Sequence, residues 1–132
     1  VAVENVEDTP TMTILVVDDD VLISMSTVDM LEDLGHQVIE SSSGKRALEI
    51  LADVERVDLM ITDYSMPKMN GMELAAAARE LRPDLPILLA TGYADLPSGP
   101  AIDLPRIDKP YHQERLAAGI AMALQTRRRP AQ

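Results

Sequence analysis

A doubly wound parallel α/β sheet is the fold that this sequence of 132 residues predicts. Three observations predict it. From Met12 onward, short apolar runs alternate with helix-length amphipathic segments, the pattern of repeated strand–helix units. The runs are nearly continuous in Val, Ile and Leu, as in strands covered by helices on both faces. Polar residues gather at the C-terminal ends of those runs, and right-handed crossovers bring such ends to one edge of the sheet, where doubly wound folds bind ligands.

The elements follow in order. Residues Val1 to Thr11 are polar and acidic, and Pro10 precedes the first strand, so 1–11 is expected to be a linker or disordered leader. The chain does not begin with Met, which points to an excised or processed segment. Strand one is expected at about Thr13–Val17. Helix one follows, with Val21, Met25, Val28 and Leu31 on one face and Gly35 as its stop. Strand two is short, near Val38-Ile39. Ser42 or Ser43 can cap helix two, which turns Ala47, Leu48 and Leu51 inward. Strand three is expected over Asp58–Thr62. Helix three runs from about Gly71 to Leu81, and Pro83 bars its continuation. Strand four is expected over Pro86–Ala90. The segment Tyr93–Pro105 contains three prolines and a glycine, which leaves room for only a turn or so of helix. Strand five is Arg106–Asp108, and a last helix spans about His112–Gln125 with Leu116, Ile120, Ala123 and Leu124 inward. One domain over residues 12–126, followed by a basic tail at 127–132, accounts for the whole chain.

Composition narrows the function classes. Hydrophobic residues make up 46% of the chain, enough for a core, while aromatics are 2% with no Trp or Phe. The core must therefore be aliphatic. There is no Cys, which excludes disulfides, thiolate metal sites and Cys nucleophiles. A formal net charge of −10 argues against direct nucleic-acid binding. The basic cluster Arg127-Arg128-Arg129 reads as a solvated helix end. No apolar stretch has the length of a membrane span, and a cytoplasmic protein without membrane insertion is expected, as a monomer or weak dimer. His36 and His112 lack metal-ligand spacing and read as surface residues.

The polar strand ends carry the chemistry. Asp18-Asp19-Asp20 closes the first run, Asp63 the third, Thr91 the fourth and Lys109 the fifth. Brought to one edge, they form a carboxylate cluster beside a hydroxyl and an ammonium. Clustered carboxylates repel and call for a counter-charge, and Mg2+ or Mn2+ suits oxygen donors of this kind. A carboxylate can also attack phosphorus to give an acyl phosphate. Such a reaction needs charge neutralisation on the transferring oxygens more than an acid or base, which Lys109 and Thr91 can supply. Asp20, next to helix one, reads as its cap. Met66, Met69 and Met72 read as loop packing rather than a partner stripe. Tyr64 and Tyr93 border the site, partly buried or gating water.

These motifs resemble the receiver domain of bacterial two-component response regulators over about Met12–Gln125. The matching residues are Leu15-Val16-Val17-Asp18-Asp19-Asp20, Asp63 with Met66-Pro67 and Gly71, Ala90-Thr91-Gly92, and Lys109-Pro110-Tyr111. The resemblance implies a flavodoxin-like sheet of order 2-1-3-4-5. It implies Asp63 as phosphoacceptor, with Asp18, Asp19, Asp63 and the backbone carbonyl of Ser65 around Mg2+. Thr91 and Lys109 would contact the phosphoryl group, whose donor would be a phosphohistidine on a histidine kinase or histidine phosphotransfer protein. The chain departs from the family in two places. Arg106 stands three residues before the lysine, where receivers usually carry an aromatic switch residue. The fourth helix of the family is expected to be shortened or irregular here, so that signalling would proceed through the Tyr93–Leu104 loop. In these respects the chain resembles receivers of hybrid histidine kinases and some stand-alone regulators, and direct transcription control is not expected of it. Two other readings compete. Asp18-Asp19-Asp20-Val21 also resembles the first motif of haloacid-dehalogenase-like phosphatases, and a receiver fold can serve as an interaction module without phosphorylation.

Overall fold

The computed structural model describes residues 11–92 and 104–128. Five parallel strands form one sheet: β1 (Thr13–Val17), β2 (Gln37–Ser41), β3 (Leu59–Asp63), β4 (Ile87–Thr91) and β5 (Arg106–Asp108). Their order is β2-β1-β3-β4-β5, all pairs parallel. Four helices connect or follow them: α1 (Val21–Asp33), α2 (Gly44–Asp53), α3 (Gly71–Leu81) and the C-terminal α4 (Gln113–Arg128). This is the doubly wound arrangement that the alternation of runs predicts. The expected irregular helix before β5, and Tyr93 with it, lies outside the described residues.

Strand periodicity divides the core in two. Ile14, Val16, Leu59, Ile61, Leu88, Ala90 and Ile107 point to one face, where Leu31 of α1 and Leu116, Ile120 and Ala123 of α4 cover them. Leu15, Val17, Met60 and Ile87 point to the other, against Ala47, Ile50 and Leu51 of α2 and Leu74, Ala75 and Ala78 of α3. Successive side chains of a strand face opposite ways, so every central strand must be apolar throughout. Met66 and Met69 pack on the second cluster, in keeping with loop packing.

Local signals set the helix ends. Asp20 caps α1, its carboxylate accepting from the N–H groups of Leu22 and Ile23. Gly35, at φ +97°, closes the same helix, in a left-handed conformation that costs glycine little. Ser43 caps α2 through the Arg46 N–H. At α3 a reciprocal pair forms: Asn70 accepts from the Glu73 N–H at 2.9 Å, and Glu73 accepts from the Asn70 N–H at 3.0 Å, a capping box.

Two expectations need correction. The inward row of α1 is Ser24, Thr27 and Leu31, while Val21 and Met25 are 67% and 55% exposed. The inward polar groups have partners: Ser24 donates to Glu40, and Thr27 bonds to Tyr111. His36 is buried rather than on the surface. Its Nδ1 accepts the Met12 N–H at 3.2 Å, and desolvation lowers its pKa, so the ring is held neutral.

Candidate functional site

The C-terminal edge of the sheet brings together the polar strand ends. β1 and β3 are adjacent in register, Val17 beside Thr62, which sets the turn after β1 against Asp63. Carboxylate oxygens of Asp18, Asp19 and Asp63 lie within 4.8 Å of one another. Asp18 and Asp63 are buried, and Asp19 is exposed. Lys109, following β5, projects its ammonium to 2.8 Å from Asp63 Oδ1 and 3.4 Å from Asp18 Oδ2. The Asp63 contact is as short as a hydrogen bond but is not directed as one. Oδ1 of Asp63 is buried without an aligned donor, so Lys109 holds it as an ion pair.

The loop after β3 is shaped to bring α3 close behind the site. A Cβ on Gly71 would stand 2.5 Å from the Asp63 carbonyl oxygen and 2.9 Å from Tyr64 Cα, an approach open only to glycine. The Gly71 N–H donates to the Tyr64 carbonyl at 2.8 Å. Lys68 turns the intervening loop at φ +72°.

Charge at the site is unbalanced, with one ammonium facing three carboxylates. Burial raises the pKa of Asp63 above the usual carboxylate value, and the charge of Asp19 adds to the rise. The Lys109 ammonium and the Ser65 N–H oppose it. Burial likewise raises Asp18, against the Asp20 N–H and Lys109; the Asp20 N–H donates to Asp18 Oδ1 at 2.9 Å. For Lys109, burial by itself would lower the pKa, but the two carboxylates prevail and raise it. The donor set is all oxygen, crowded and negative in excess, which fits a hard divalent cation.

Thr91 is fully buried at the end of β4. Its hydroxyl donates to Asp108 Oδ1 at 3.3 Å, a long contact across the register pair Thr91–Asp108. Arg106 is exposed on β5. Tyr64 is half-buried beside Asp63. Asp20 does not join the cluster, because its carboxylate is engaged by the first turn of α1. This removes the second acid of the phosphatase signature from the site. Two groups near Lys109 were given no role by the sequence reading: Tyr111, which bonds to Thr27, and Asp108, which receives Thr91.

Comparison with known proteins agrees with this geometry. Residues 14–121 match the family described as response regulator receiver domain. The chain is 37% identical over 115 residues to the response regulator receiver protein CpdR of Brucella abortus (strain 2308), a match covering 84% of this chain and 95% of that protein. It is 31% identical over 120 residues to the sensor kinase CckA of the same organism, covering 86% of this chain but 12% of the kinase. Among solved structures, a response regulator receiver protein from Sinorhizobium medicae WSM419 superposes with a TM-score of 0.77 at 30% identity, covering 89% of this chain and 97% of that one. No helix among the described residues is long and apolar enough to cross a membrane. With its sheet order, its acidic strand ends and these likenesses in agreement, the chain belongs to the response regulator receiver domain family of two-component signalling.

Proposed function

We propose that Asp63 is the phosphoacceptor of a histidine-to-aspartate phosphorelay. The observation that carries this reading is Asp63 Oδ1, a buried carboxylate oxygen without an aligned donor, 2.8 Å from an ammonium and inside an acidic trio. An Asp63 carboxylate oxygen attacks phosphorus, the P–N bond of a phosphohistidine breaks, and its electron pair returns to the imidazole. Likeness to a sensor kinase supports a donor of that kind, carried on a histidine kinase or a phosphotransfer protein.

Asp18, Asp19, Asp63 and the Ser65 carbonyl would hold Mg2+, which supplies charge neutralisation for the phosphoryl oxygens. Lys109 opposes the rise that burial gives the Asp63 pKa and stands ready to meet a phosphoryl oxygen as a point charge. The Thr91 hydroxyl would leave Asp108 to donate to another such oxygen. Arg106, in the place of an aromatic residue, and Tyr93 are the switch positions in this reading. The chain acts as an acceptor that promotes its own phosphorylation and dephosphorylation, not as an enzyme turning over free phosphate esters.

Incubation with acetyl phosphate and Mg2+ tests the reading. One phosphoryl group should be added, labile to hydroxylamine, and Asp63→Asn should take none. Labelling that persists on Asp18 in this variant would favour the phosphatase-like chemistry, and no labelling of the native chain would favour an interaction module.

A further inference from the structure

Lys109 serves two carboxylates, yet it stands where regular structure gives out. β5 ends at Asp108 and α4 begins at Gln113. On the strand side, the Lys109 N–H donates to the Thr91 carbonyl at 2.8 Å. On the helix side, Pro110 has no N–H to give. The next residue, Tyr111, reaches across to α1, and its hydroxyl lies 2.6 Å from Thr27 Oγ1.

Proton count fixes the direction of that bond. The Thr27 hydroxyl has a single proton and donates it to the Ile23 carbonyl at 3.0 Å, so it accepts from Tyr111. Burial raises the Tyr111 pKa, which keeps the phenol a donor. Thr27 is 1% exposed, so water does not compete for it. A second bond lies alongside, Gln113 Nε2 donating to the Met30 carbonyl at 3.1 Å. The helix that receives both is the one whose first turn is held by Asp20, in the acidic turn itself. α1 thus ties the Asp18–Asp20 turn and the Lys109 loop to one rigid body.

We propose that Tyr111 is a positioning residue for phosphoryl transfer: its hydroxyl, accepted by Thr27, fixes the Lys109–Tyr111 backbone so that the Lys109 ammonium stays between Asp63 and Asp18. The proposal rests on the reading of Asp63 as acceptor and Lys109 as the charge that meets the phosphoryl group. It also explains why a polar residue faces inward on α1, where an apolar one would otherwise serve.

The test measures the rate of hydroxylamine-labile phosphorylation by acetyl phosphate with saturating Mg2+. Tyr111→Phe removes one oxygen and keeps the ring, while Thr27→Val removes the acceptor at nearly constant volume. Each should slow transfer roughly tenfold, since small misplacements of a charge partner are costly. The two together should be no slower than the slower one alone, and Thr27→Ser should restore the native rate. In a Lys109→Ala background, Tyr111→Phe should change nothing further. A native rate in Tyr111→Phe overturns the proposal, as does a full additional loss in the Lys109→Ala background. Side-chain NMR of the Lys109 ammonium gives a readout independent of phosphorylation. Its signal should shift or broaden in Tyr111→Phe, and an unchanged signal overturns the proposal. Should the native chain accept no phosphoryl group, the phosphoacceptor reading fails, and the NMR result still decides whether Tyr111 positions Lys109.

Discussion

At the N-terminal edge of the sheet, Asp58 stands just before β3. Its Oδ2 accepts the Thr13 N–H at 2.8 Å and Arg56 Nε at 2.9 Å, and its own N–H donates to the Thr13 carbonyl at 2.8 Å. At the C-terminal edge, Asp63 ends the same strand with a cation equally near. Here the likeness stops. Asp58 is part-exposed, with two donors on its Oδ2, and it locks the entry of β1 against β3. Asp63 is buried, crowded by other carboxylates and lacks an aligned donor on Oδ1. One aspartate holds the fold together, and the other stands buried among like charges at some cost to it.

Exchanging each residue should separate the two roles. The largest effect is expected at Asp63, where Asn should abolish hydroxylamine-labile phosphorylation. Asp58→Asn should leave phosphorylation intact but lower stability by about 1 kcal/mol through the weakened Thr13 and Arg56 bonds, measured by urea unfolding. Equal loss of labelling in both variants would erase the distinction.

The cations come next. Lys109→Ala should slow phosphoryl transfer by about 10²–10³-fold, as for loss of one preorganised electrostatic contact. Arg56→Ala should leave the rate unchanged and cost no more than about 1 kcal/mol, its guanidinium being mostly in water.

Stability against pH and metal gives a smaller effect of opposite sign. Asp18 and Asp63 have folded-state pKa values above their unfolded ones. The folded chain therefore holds these protons more tightly, and the contribution is fully present below the unfolded carboxylate pKa and lost as pH rises through the folded one. At neutral pH without divalent cation, Asp18→Asn should raise stability by about 1 kcal/mol, a few degrees in Tm. Mg2+ should stabilise the native chain more than this variant. Thermal melts with and without Mg2+ decide the matter, and a lower Tm for Asp18→Asn in metal-free buffer would contradict the strain described here.

The smallest effect concerns His36, near the satisfied edge. Its folded-state pKa is lowered by burial, so the unfolded chain binds the proton more readily. Stability should be full above the unfolded His pKa of about 6.5 and fall as pH drops below it. The loss should be under about 1 kcal/mol, read from denaturant midpoints between neutral and mildly acidic pH. His36→Gln should flatten the dependence.

Much of this was legible in the residues. β1, α3 and β5 occupy the expected spans, because continuous apolar runs, Gly71 and Pro83 leave little choice. The site was legible for the same reason: in a parallel sheet, polar residues at strand ends share an edge whatever their distance in sequence. The capping box at Asn70 and Glu73 is a readable signal that strengthens the start of α3. The face of α1 was not legible. Its apolar residues Val21, Leu22 and Met25 are exposed, while Ser24 and Thr27 face inward. Polarity and burial part company there, and hydrophobic periodicity cannot register an inward hydroxyl matched by a tyrosine far along the chain. His36 was obscured similarly, since its partner is the Met12 N–H just before β1, distant in sequence.

The absent side chain at Gly71 makes the back of the site a gauge of fit. Nothing but bare backbone separates α3 from the carbonyl of Asp63. A single methyl there would act as a shim, forcing the strand end or α3 to give way without altering any charge. Mechanical clearance at this one place therefore bears on where the strand end, and with it Asp63, can sit.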